Sequence, residues 1–127
     1  MKNNKFYICA HCGNIVEMVD NKGVNPVCCG EKMKPLEPGV VEASREKHIP
    51  VVEKSGDRVK VVVGSVLHPM VEEHSILWIY LETNLGCQRK HLAVNEPPVA
   101  EFALTEGEKP LAVYAYCNLH GLWKKEL

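Results

Sequence analysis

Apolar residues in this chain come in short bursts separated by turn formers, with no long helical stripe. Phe6-Tyr7-Ile8 and Ile15-Val16-Glu17-Met18-Val19 are the first two bursts, and Asn21-Lys22-Gly23 reads as a turn after them. Further along, 51–54 and 58–63 flank Ser55-Gly56-Asp57, the pattern of a β-hairpin. Residues 76–82 form the strongest strand pattern, followed by the turn Asn84-Leu85-Gly86 and a weaker strand at 90–94. Residues 99–104 and 111–117 complete the predicted set. Trp78 and Tyr80 alternate with Leu77 and Ile79, so at least one face of that strand belongs to a core. Residues 42–47 allow one helical turn, which Pro50 interrupts. Several short strands at this spacing predict an all-β chain, an antiparallel sandwich or barrel. Residues 35–39 read as a linker, dividing the chain into a small unit at 1–36 and a β domain at 37–127.

Composition narrows the function classes. The 127 residues are 46% hydrophobic, enough for a real core. Fifteen Lys+Arg against sixteen Asp+Glu leave a net charge of −1, which argues against nucleic acid or an anionic membrane held by net charge. No apolar run approaches the ~20 residues that span a bilayer. Met1-Lys2-Asn3-Asn4-Lys5 leads into no core of signal-peptide length, so the expected location is the cytoplasm. Six cysteines in a reducing compartment point to metal or catalysis rather than disulfides.

Four of those cysteines crowd the first unit as Cys9-x2-Cys12 and the adjacent pair Cys28-Cys29. Four thiolates can close a tetrahedron around one metal. Neighbouring side chains reach one metal only if the backbone bends between them, so the S4 site should be slightly distorted. A segment this short cannot bury enough surface to fold alone, and metal binding supplies the missing free energy.

A second cluster lies downstream: His48, His68, His74, Cys117 and His120, each at a strand end or in a loop. Four imidazoles and one thiolate suit a redox metal better than a structural zinc, which is almost always four-coordinate. Five protein ligands around an octahedral metal leave one position open for a small molecule. Two other classes stay in view: an electron carrier whose S4 site acts while the second metal is structural, and a binding module with two structural zincs. Visible colour separates iron from zinc. Simpler roles are assigned elsewhere. His11 is read as solvent-exposed, His91 as a surface strand residue, Cys87 as a spare thiol and Trp123 as a buried structural residue, with packing near the metal as its alternative.

The ordered set of motifs resembles a known family. Cys9-x2-Cys12 with Cys28-Cys29 looks like a desulforedoxin module. Glu46-Lys47-His48-x-Pro50, His68-Pro69-Met70-x3-His74 and Cys117-Asn118-x-His120-Gly121 look like superoxide reductase. Together they resemble the two-iron form, desulfoferrodoxin, over essentially the whole chain. The resemblance implies a desulforedoxin-like domain followed by an immunoglobulin-like β-sandwich, in a homodimer. It implies an FeS4 centre on Cys9, Cys12, Cys28 and Cys29. It also implies a ferrous iron with His48, His68, His74 and His120 in a plane and Cys117 axial. The implied activity is one-electron reduction of superoxide to hydrogen peroxide, with electrons from a donor such as rubredoxin or a reductase. Lys47 would draw the superoxide anion in and help order a proton-donating water, and Glu46 would help displace product.

Overall fold

The structure, a computed structural model, describes residues 4–127. Among the described residues the elements are short strands and one helical turn, as expected of a sequence whose apolar bursts rarely exceed a strand in length. The first three residues of the segment read above for signal character, Met1-Lys2-Asn3, lie outside the described residues. The chain divides into two units, Met1–Pro38 and Gly39–Leu127. Among the described residues, no helix is long and apolar enough to cross a membrane.

The first unit holds β1 (Phe6–Ile8), β2 (Ile15–Glu17), β3 (Val27–Cys28), β4 (Glu31–Lys32) and β5 (Lys34–Pro35). Strand β1 lies between β2 and β5 in one antiparallel sheet, and β3 pairs with β4 in a separate hairpin. Its small core cluster is Tyr7, Cys9 and Met33, with Val16, Met18 and Cys28 packed against them, and Phe6 is buried as well. So few buried side chains cannot offset chain entropy unaided. Pro35, expected in the linker, instead pairs with Tyr7, and Leu36 donates its N–H to the Phe6 carbonyl. A proline, which has no N–H to give, fits here because β5 is an edge strand.

The second unit begins with α1 (Arg45–His48), a single turn placed three residues later than its pattern suggests. Ile49 closes it just before Pro50, as the residue before a proline favours extended backbone. Then come β6 (Pro50–Ser55), β7 (Arg58–Val63), β8 (Ile76–Thr83), β9 (Cys87–His91), β10 (Val99–Ala103), β11 (Pro110–Cys117) and β12 (Gly121–Glu126). They form two antiparallel sheets, ordered β10-β7-β6 and β12-β11-β8-β9. Val59, Val61, Val63, Phe102, Ile79, Leu81, Val113, Ala115 and Cys117 meet in the core. Burial is not confined to one face of β8. Trp78 and Tyr80 are buried as well, Trp78 stacked on Tyr116 at 5.6 Å and Tyr80 edge-on to Tyr114 at 5.7 Å.

In the second unit two strands depart from the sequence reading, and in the first β3 and β4 were not anticipated. Strand β9 covers Cys87–His91 rather than 90–94, and β12 has no counterpart in the predicted set. Both are edge strands with little apolar alternation to read. The side chains of β9 also tie the two sheets together. Gln88 donates to the Ala103 carbonyl at 2.8 Å, and Lys90 donates to the Glu101 carbonyl while its ammonium lies 5.5 Å from the centre of the Phe102 ring.

Candidate metal centres

The tetrathiolate site is built from two bends. In the first, Cys9 Sγ accepts the N–H groups of His11 and Cys12, both at 3.4 Å, which pulls its pKa down to about 6. In the second, Cys29 takes a left-handed φ of +53°, followed by Gly30 at +74°. That is the bend the adjacent cysteines require; a non-glycine residue there is uncommon. The four sulfurs lie within 4.8 Å of one another. Cys12 and Cys28 are 3.6 Å apart, close to the ~3.8 Å edge of a tetrahedron with ~2.3 Å metal–sulfur bonds. Cys29 is pushed up to about 12, chiefly by the Cys12 thiol beside it and then by Cys9 and Cys28. Four thiolates this close need a cation between them, so the donor set fits one tetrahedral metal. His11 is exposed as read, but it also pairs with Glu31, joining the two bends.

The second cluster lies where the sandwich strands end. His48 closes α1, His68 follows β7, His74 precedes β8, and Cys117 ends β11 with His120 in the turn to β12. His48 donates its Nδ1–H to the Ser44 carbonyl at 2.6 Å, and His68 donates its Nδ1–H to the Pro69 carbonyl at 2.7 Å. A carbonyl only accepts, and a neutral imidazole has one N–H. Both Nε2 atoms therefore present lone pairs, and they face each other at 3.1 Å. His120 Nδ1 lies 3.2 Å from the same His48 Nε2, and 3.9 Å from Cys117 Sγ. His74 Nε2 is buried without a hydrogen-bond partner. The donor atoms of His48, His74, Cys117 and His120 lie within 4.8 Å of one another, and His68 joins through His48.

Lone pairs in contact and an unpartnered buried nitrogen fit a metal held at their centre. The electrostatics agree. Burial lowers the pKa of His48 and His74 and takes His68 down to about 4, keeping the rings neutral and able to ligate. Burial pushes the Cys117 thiol up, opposed by the N–H groups of His120 and Leu119. A thiolate at this depth is stable beside a cation.

Glu46 and Lys47 sit on α1, both exposed. Lys47 is near enough for its charge to depress His48 and His74. The carboxylate of Glu46 is not among the clustered donors. Its backbone is held firmly: the Glu46 carbonyl accepts from Val66 N–H at 3.1 Å and Ser65 Oγ at 3.3 Å. Gly64 packs directly beneath, where a Cβ would fall 2.3 Å from that oxygen. Trp123 does more than fill space. It lies 5.0 Å from the His48 ring and donates Nε1–H to the His120 carbonyl at 3.0 Å. Only its place two residues beyond Gly121 in the last motif hints at this. Cys87 and His91 are exposed and outside both clusters.

An all-β chain with one tetrathiolate site and one His4Cys site is a two-centre non-haem metalloprotein. Family models place it further: residues 1–36 match the N-terminal domain of desulfoferrodoxin and residues 40–126 match desulfoferrodoxin itself. The desulfoferrodoxin of Syntrophotalea carbinolica is 49% identical over 120 residues, 94% of each chain. The superoxide reductase from Treponema pallidum has a crystal structure that matches with a TM-score of 0.81 at 41% identity, covering 97% of this chain and 100% of that one. The superoxide reductase from Giardia intestinalis matches at 36% identity and a TM-score of 0.53, over 65% of this chain and 100% of that one. The chain belongs to the desulfoferrodoxin family.

Proposed function

We propose that this chain is a superoxide reductase, with a ferrous iron at the His4Cys site and a second iron at the tetrathiolate site. The observation that carries the reading is the clustering of the His48, His74, Cys117 and His120 donor atoms within 4.8 Å of one another, with His68 Nε2 3.1 Å from His48 Nε2. Superoxide, one electron and two protons give hydrogen peroxide. Iron bound among these donors would supply the electron and an open position for the anion. The chain's own residues do the rest. His48, His68, His74, His120 and Cys117 would hold that iron. Leu119 and His120 N–H groups hold the Cys117 sulfur in place.

Lys47, exposed at the rim, attracts the superoxide anion locally although the chain is net negative. It also orders water that delivers the protons the product requires. Glu46, one residue earlier, swings its carboxylate inward to help displace product while its backbone stays fixed by Ser65 and Val66. The tetrathiolate centre relays electrons or stabilises its own unit, residues 1–36, while residues 37–127 carry the reductase site. The protein works in the cytoplasm with a donor such as rubredoxin or a reductase. We assign it as a homodimer, because the first unit has little core and exposed strand edges; a strictly monomeric mass at micromolar concentration would refute that.

The test of the function is Cys117→Ser. It should abolish the active-site thiolate-to-iron band and most superoxide reduction, leaving the tetrathiolate spectrum intact. Retention of both band and activity would favour the electron-carrier reading instead.

A further inference from the structure

We propose that Asn118 is the positioning residue for His74, gripping the chain on both sides of that ligand in place of the hydrogen bond its ring lacks. This rests on the reading of His74 as an iron ligand. His48 and His68 are aimed by their own rings, through Nδ1–H bonds to the Ser44 and Pro69 carbonyls. His74 has no such bond; neither ring nitrogen pairs with a described residue, and its Nε2 is buried and unpartnered. Its direction must come from its backbone.

The residues on either side of it are held by one side chain. Asn118 Oδ1 accepts Ser75 N–H at 3.0 Å, and Asn118 Nδ2 donates to the Glu73 carbonyl at 3.0 Å. Asn118 N–H adds a bond to the Ser75 carbonyl at 3.2 Å. The residues before and after His74 are thus both fixed by the residue that follows Cys117. One primary amide, with a donor and an acceptor side by side, can make both bonds; an ionised carboxylate, which only accepts, cannot. The result is that Cys117 and His74 are locked in register. A bridge between Val71 and His74 closes the loop from the other side, with N–H···O bonds of 3.0 and 3.1 Å.

The fold contains its own control. Asn84 makes the same three-bond clamp at the opposite end of the β8–β11 pair. Its Oδ1 accepts Lys109 N–H at 2.6 Å, its Nδ2 donates to the Gly107 carbonyl at 3.0 Å, and its N–H bonds the Lys109 carbonyl at 3.1 Å. That clamp touches no ligand.

The experiment compares Asn118→Ala, Asn84→Ala and His74→Ala in the iron-loaded full chain. It follows release of active-site iron to a chelator through the thiolate band, and exchange of the Ser75 amide. Asn118→Ala should release iron on the order of 10–100-fold faster and expose the Ser75 amide to exchange. Asn84→Ala should lower thermal stability comparably but release iron at the wild-type rate. Wild-type release from Asn118→Ala, or equal acceleration in Asn84→Ala, overturns the proposal. If His74→Ala loses iron while Asn118→Ala does not, the ligand reading stands and only the role of Asn118 falls. If His74→Ala keeps its iron and band, the ligand reading fails and the proposal with it.

Discussion

Gly64→Ala is the sharpest test of how the reductase site is held. The added Cβ would sit 2.3 Å from the Glu46 carbonyl oxygen and 2.9 Å from the Lys47 carbonyl carbon. Side-chain carbons essentially never approach below 3.0 Å, so the backbone carrying Glu46 and Lys47 must retreat by at least about 0.7 Å. That oxygen already accepts from Val66 N–H and Ser65 Oγ, so retreat stretches two hydrogen bonds. Overpacking costs about 1–3 kcal/mol, and each weakened bond adds about 1 kcal/mol at most. A loss of about 1–5 kcal/mol in a unit of this size lowers Tm by on the order of 10 °C. If Glu46 and Lys47 act as proposed, misplacing them by nearly an ångström slows the second-order reaction by roughly tenfold to a hundredfold. The assays are calorimetry and fast mixing or pulse radiolysis with superoxide. Gly56→Ala is the control: it lies in the β6–β7 turn with no neighbour within 4 Å of its added carbon, and strains only its own φ of +60°. It should cost about 1–2 kcal/mol and leave the rate alone. An unshifted Tm in Gly64→Ala would refute the contact. A lowered Tm with a full rate would refute the claim that Glu46 and Lys47 must be held where they are.

Two further outcomes follow from the same geometry. Lys47→Ala should slow the reaction with superoxide and flatten its dependence on ionic strength, with the iron spectrum little changed; an unchanged rate and salt slope would return Lys47 to an ordinary surface charge. Cys28→Ser should loosen the first unit, seen as faster amide exchange across residues 5–30, while Gly39–Leu127 stays folded; undiminished protection across 5–30 would count against the metal as its staple.

The candidate ligands were legible in the sequence because metal chemistry restricts them to a few residue types. Cys9, Cys12, Cys28, Cys29, His48, His68, His74, Cys117 and His120 announce themselves by type and spacing. The bend between Cys28 and Cys29 was legible too, as a geometric necessity; the positive φ of Cys29 meets it. What surrounds the ligands was not. The Ser44 and Pro69 carbonyls that aim His48 and His68 are backbone atoms, which any residue would supply. Gly64 matters for what it lacks, and Asn118 for two bonds to residues far away in the chain. Strands β9 and β12 were hidden for a related reason. As sheet edges they contribute few apolar side chains, so their pattern carries no period to detect.

The two centres differ in what would be left to hold their ligands without a metal. The tetrathiolate sulfurs lie on short bends beside a core cluster of three buried side chains, with Cys12 and Cys29 exposed. The clustered thiols are driven apart, down to about 6 at Cys9 and up to about 12 at Cys29, and a cation among them would relieve that conflict. At the His4Cys site each anchor belongs to the sandwich: Cys117 is fully buried at the end of β11, and Glu46, His48 and His68 hang from backbone groups in α1 and the β7–β8 loop. Donors fixed by the fold need not rearrange when the charge at their centre changes, which is what a site transferring one electron repeatedly requires. On this geometry the first centre is one whose metal would fold its unit, and the second is one whose fold would stand before its metal arrives.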